Sequence, residues 1–169
     1  MKAAALFTPW LAVGLLVASA AAQQPASPEK KKTSPDQQAQ REQALARLLT
    51  GAVFQGQYTV EDAQGQRTGK DRYTIRQAKK LQGNLWLLVV RIQYDGKDIN
   101  VPLTLPILWA GDTPVITLKE LPVPGLGTFS ARVVIHGDRY AGSWDAGDHG
   151  GHLWGRIVRS KGEKEKKTP

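Results

Sequence analysis

The chain runs to 169 residues with no cysteine and a formal net charge of +8. Without cysteine there is no disulfide framework and no Cys for lipid attachment, so apolar packing alone must hold the fold. Much of the positive excess lies near the termini: Thr50 to Arg159 holds 13 Lys and Arg against 10 Asp and Glu, while Lys30, Lys31, Lys32 and the stretch from Lys161 to Lys167 carry much of the rest. Such tails solvate a chain and at most attract polyanions weakly.

Lys2, the apolar run Ala3 to Val17 and the small residues Ala18 to Ala22 read as a signal peptide over residues 1–22. The run falls short of the roughly 20 apolar residues that cross a bilayer. The mature chain is expected to begin near Gln23 and to be soluble, secreted or periplasmic. It would carry neither lipid nor transmembrane segment, and export makes nucleic acid an unsuitable partner. Residues 23–33, rich in Pro, Gln, Ser and Lys, read as a disordered linker, and residues 161–169 as a disordered lysine-rich tail.

Ser34, Pro35 and Gln37 combine an N-cap, a first-turn proline and a capping-box partner, opening a helix over residues 34–50. Its first half is polar. Leu45, Leu48, Leu49 and Ala52 recur at helical spacing, so only the last turns should dock, with Gly51 as the left-handed cap.

From Gly51 the period changes to two, and residues 51–160 read as a β-barrel domain. Phe54, Gly56, Tyr58 and Val60 form one phase of the first strand; a Gly-rich turn from Gln64 to Gly69 leads to Tyr73 and Ile75. Leu85 to Tyr94 is apolar on both phases up to Arg91, which predicts a strand covered on both faces, the helix covering the outer one and Trp86 beneath it. Asp95 and Gly96 make a hairpin turn. In the returning strand Pro102 and Pro106 share the polar phase; proline cannot donate to a ladder, so any incomplete closure is expected there. Turns near Gly111, Pro124 and Gly137 then deliver the remaining strands. The sum is an all-β fold, a small antiparallel meander barrel of about eight strands with one N-terminal α-helix.

The Gly/Trp-rich stretch Tyr140 to Ile157 reads as a kinked hairpin, because glycine lets a ring or backbone approach where a Cβ would clash. The runs Trp109 to Ile116, Pro124 to Arg132 and Tyr140 to Arg156 resemble a family of short exported bacterial proteins with a Gly/Trp-rich C-terminal third. That resemblance implies a pattern of turns and no activity. In architecture the chain also resembles calycin (lipocalin or avidin-like) barrels. Gly142 and Trp144 match the Gly-x-Trp spacing of lipocalins, which carry it in the first strand rather than near the last. This likeness implies a barrel and, as one option, a carrier of a small apolar ligand.

Asp145, Asp148, His149 and His152 bring metal-ligand side chains to one glycine-rich loop and could hold a divalent metal. A solvated loop with local Asp turns is the simpler alternative. No other cofactor is indicated. Ser130, Ser143 and Ser160 lack a partner base, and Glu61, Glu120 and Asp145 each have an exposed strand phase or turn as a simpler explanation, so no enzyme is expected. The inward phases carry Phe54, Tyr58, Tyr73, Ile75, Val101, Leu103, Val133, Ile135, Tyr140 and Trp144, and side chains of this size are expected to fill the interior. Trp144, Trp154, Arg156 and Tyr140 are the candidate contacts for a ligand or partner, with Trp154 and Arg156 on one outward phase beside His152. The sequence thus reads as an exported, non-enzymatic binding or interaction module whose partner is an envelope protein, a glycan or a small apolar ligand.

Overall fold

The computed structural model describes residues 34–159. The leader over 1–22, the linker over 23–33 and the lysine-rich tail over 161–169 lie outside the described residues. Helix α1 (Pro35–Leu49) precedes strands β1 (Ala52–Asp62), β2 (Gly65–Lys80), β3 (Leu85–Tyr94), β4 (Lys97–Ala110), β5 (Thr113–Val123), β6 (Gly127–His136), β7 (Arg139–Asp145) and β8 (Gly150–Arg159). Each strand pairs antiparallel with the next, and β8 returns to β1, so the eight strands form a closed up-and-down barrel.

Alternation decides which side chains enter. In β3 the even positions from Trp86 to Ile92 are buried, while the odd positions are half-buried on the wall. Among the described residues no helix is long and apolar enough to cross a membrane.

The helix forms as its caps require: Ser34 Oγ accepts from the Gln37 amide at 3.2 Å, and the Gln37 side chain returns a bond to the Ser34 amide. Only its last turns bury apolar side chains, Leu45 and Leu49. Its position corrects the expectation that it covers the outer face of β3. Arg41 donates to the Gly111 carbonyl at 2.9 Å beyond the end of β4 and sits 4.3 Å from the centre of the Trp109 ring. At the other end Arg159 of β8 donates to the carbonyls of Arg47 and Thr50. These anchors stretch the helix across one mouth of the barrel as a plug, and the outer side chains of Leu85, Leu87 and Val89 stay half-exposed. An amphipathic helix with so short an apolar stripe finds more apolar surface at a barrel end than on a pleated wall. Trp86 is fully buried at this end, and Lys80, 5.8 Å from its ring centre, pairs with Glu42 of the helix.

Two local expectations change. Residues 65–69 belong to β2 rather than to a long turn, and Gly69 pairs with Tyr58 in the ladder. The prolines of β4 leave the barrel closed, but β4 and β5 pair over only four residue pairs, Ile107↔Ile116 to Ala110↔Thr113. Pro102 and Pro106 both lie in the part of β4 that pairs with β3 alone.

Candidate functional site

The interior is not filled. A cavity of about 450 Å³ runs along the barrel interior to the mouth opposite the helix, where Arg67, Asp95, Lys97, Leu126 and His149 form its rim. The expectation of a packed interior fails: several of the large rings expected to fill it pack on one another along the walls instead. Of the ten residues expected inside, Val101 and Ile135 are simply buried core and the other eight line this space.

Its walls divide by chemistry. One side is aliphatic, with Leu88, Leu103, Leu105, Ile116 and Leu118. The other is aromatic: Phe54 and Tyr140 have ring centres 4.9 Å apart, and Tyr58 meets Tyr94 edge to face at 6.0 Å. The glycines of the sequence make room for these rings. A Cβ on Gly69 would stand 2.4 Å from the Tyr58 ring, and one on Gly56 or Gly155 would come within 2.6 or 2.8 Å of Tyr140 Oη.

That hydroxyl reaches Asp71, donating to Oδ1 at 3.0 Å. Asp71 is 4% exposed and stands on the inward phase of β2, two residues from Tyr73. Its second oxygen, Oδ2, is buried without a partner, a situation that costs about 1–3 kcal/mol. Tyr73 and the Gly56 backbone also draw on this carboxyl, neither within bonding geometry of Oδ2. Burial pushes the Asp71 carboxyl above its ordinary range, against the opposing pull of Tyr140 and Tyr73. Burial first, and the neighbouring carboxylate second, push the phenols of Tyr140 and Tyr73 well above theirs.

The four candidate contact residues separate into two pairs. Tyr140 is 3% exposed and inward. Trp144 lines the cavity near its mouth, donates to the Thr59 carbonyl at 3.1 Å, and has Phe129 and His149 against its ring at 6.3 and 5.5 Å. Trp154, 39% exposed, and Arg156 point outward. Arg156 is held by Asp138 at 2.6 Å, which keeps that carboxyl below its usual range. Strand register sets Trp154 in an outer apolar row that the sequence reading missed: Leu108↔Val115↔Val134↔Ala141↔Trp154, crossing β4 to β8.

The proposed metal loop is not assembled. Asp145 accepts from the Gly147 amide, an ordinary Asp turn, and His149 turns inward against Trp144 with Asp148 2.6 Å from its Nδ1. That contact holds the Asp148 carboxyl below its ordinary range. His152 lies on the outer wall, 3.6 Å from Glu61. His152 takes the outward phase of β8, whereas His149 lies in the loop before the strand and folds toward the mouth against Trp144. Among the described residues no group of three or more His, Asp or Glu side chains could hold an ion.

Asp71, Tyr94 and Phe129 also escaped the sequence reading. For Asp71 a signal was present, a charged residue on the phase of Tyr73 and Ile75. Comparison of the chain with family models, curated proteins and solved structures finds no match.

Proposed function

We propose that this protein binds a small, largely apolar molecule inside the barrel, as a calycin-like carrier does. The observation that carries the reading is the cavity itself, about 450 Å³, lined by strand and loop side chains and reaching the loop end of the barrel. That volume lies within the range of about 300–1,000 Å³ typical of small-molecule sites, and the lining is mainly aliphatic and aromatic with few polar groups. Nothing in the lining supplies a nucleophile with a base, so binding rather than turnover is the activity the chemistry supports. The leader expected over residues 1–22 makes the periplasm or the extracellular space its setting.

A titration with N-phenyl-1-naphthylamine, an uncharged apolar fluorophore, tests this. Saturable enhancement at one site per chain is expected. Ala131→Phe, which directs a ring into the cavity beside Leu118 and Trp144, should weaken binding about tenfold or more while the fold persists. No saturable signal from the native protein would end the carrier reading.

The outer row ending at Trp154 favours a second reading, contact with an envelope glycan or protein. An exposed indole in an apolar stripe suits stacking on a sugar face or packing in an interface. Co-sedimentation with isolated envelope glycan should fall several-fold in Trp154→Ala, with fluorophore binding unchanged; equal sedimentation by both proteins would remove Trp154 from any such surface.

A further inference from the structure

The outer row that reaches Trp154 continues past it as polar side chains. Register carries it through Gln57 of β1 to Lys70 of β2, into a groove of about 510 Å³ lined by Gln57, Tyr58, Thr68, Gly69, Lys70 and Asp95. Two residues along each strand, toward the helix end, runs a second outward row: Arg139↔Arg156↔Gln55↔Arg72↔Gln93, crossing β7, β8, β1, β2 and β3.

From β7 to β3 these two rows hold four cations, Arg139, Arg156, Arg72 and Lys70, and no carboxylate. Asp138, in the β6–β7 turn, pairs with Arg156 at 2.6 Å and stands 3.9 Å from Arg139. Both arginines remain more than 60% exposed in their side chains, so this tie exchanges readily for another anion. Among the described residues Arg72 and Lys70 have no carboxylate partner; Arg72 donates instead to the Gln55 side chain at 3.1 Å. Glu61, Asp95 and Asp145 stand apart, at the loop end of this wall. Such a surface attracts anions, and a guanidinium fork matches a carboxylate.

The layout also describes the anion. Arg139 and Arg72 stand three strand steps apart, about 14 Å at the usual spacing of about 4.8 Å, so one small anion cannot touch both. Gln55, Gln57 and Gln93 set amides among the cations, and an amide both donates to and accepts from hydroxyls. Trp154 offers an exposed flat ring beside them. The barrel wall is convex, so a planar membrane meets one line of it where a chain can follow several strands.

We propose that this wall binds an acidic polysaccharide, its carboxylates on Arg139, Arg156 and Arg72 and a sugar face on Trp154. The inference rests on the glycan reading of Trp154 and adds the charge of the glycan and the residues that read it.

Calorimetric titration of the full chain with polygalacturonate and with its fully methyl-esterified form tests it, since the two share one backbone and differ in charge. The acidic form is expected to bind about tenfold tighter and to lose most of that advantage as salt is raised. Arg72→Gln combined with Arg139→Gln should bring it close to the ester. Lys30→Gln combined with Lys31→Gln removes the same charge from the N-terminal stretch and should change binding by less than about twofold. Both wall positions are exposed, so the unfolding midpoint should not move. Equal binding of acid and ester overturns the proposal and leaves the glycan reading standing, and that comparison needs no variant. Equal losses in the two double variants overturn the role of the wall. Binding to phosphatidylglycerol vesicles that falls in the wall variant, with none to polygalacturonate, overturns the glycan in favour of lipid. Failure of all three probes overturns the glycan reading of Trp154 as well.

Discussion

Asp71 shows what a single inward carboxyl does to a small barrel. Because burial raises its pKa in the fold above the unfolded value, the folded protein holds this proton more tightly than the unfolded chain. The associated stability is present below the unfolded carboxyl value and is lost as pH climbs through the folded one. Asp71→Asn removes the titration. From about pH 4 upward the native protein is therefore expected to lose stability relative to the variant, by at most about 1.4 kcal/mol per pH unit, and then to level off. Urea unfolding of both proteins across this interval checks the sign; a difference that stays flat, or that grows in the native protein's favour, would contradict it. Alternation made Tyr140 and Trp144 legible as inward residues. Asp71 was passed over because a lone Asp in a strand usually faces water, and only the ring hydroxyl arriving from β7, 69 residues away in sequence, gives its orientation a reason.

At the scale of the element, the helix carries the clearest lesson. Its caps, length and docking turns follow from local chemistry and were readable residue by residue. Where it docks was not, because that depends on which apolar surface the closed barrel leaves uncovered. Leu49 is fully buried at this plug. Leu49→Ala should cost about 2–5 kcal/mol, through lost burial and the void it leaves. The denaturation midpoint is expected to fall while the affinity of the interior for N-phenyl-1-naphthylamine changes little in the surviving folded protein, because Leu49 does not line the cavity. A loss of affinity equal to the loss of stability would mean that the plug shapes the binding site. The His149 and His152 loop is the converse case. Its residue types suggested one cluster, but strand phase sends His152 onto the outer wall while His149, in the loop before β8, folds against Trp144 at the mouth.

For the whole molecule, strand count, order and antiparallel sense were legible because every connection is short and every strand alternates. The void was not. Side-chain size can be read from sequence, but whether rings meet across a barrel axis depends on strand tilt and stagger, which no local pattern encodes. The barrel also has two ends of different character, one plugged by a helix held through Arg41 and Arg159, the other bordered by Arg67, Lys97, Asp95 and His149. The abbreviated ladder between β4 and β5 gives this container one compliant wall. Ladder bonds fix the girth of a barrel wherever strands are fully paired, and here they hold only the stretch from Ile107 to Ala110. Above it, Leu103 and Leu118 can part without any β4–β5 ladder pair being broken. The bore can therefore widen most readily between β4 and β5, which suits it to guests that share a chemical outline but differ in thickness.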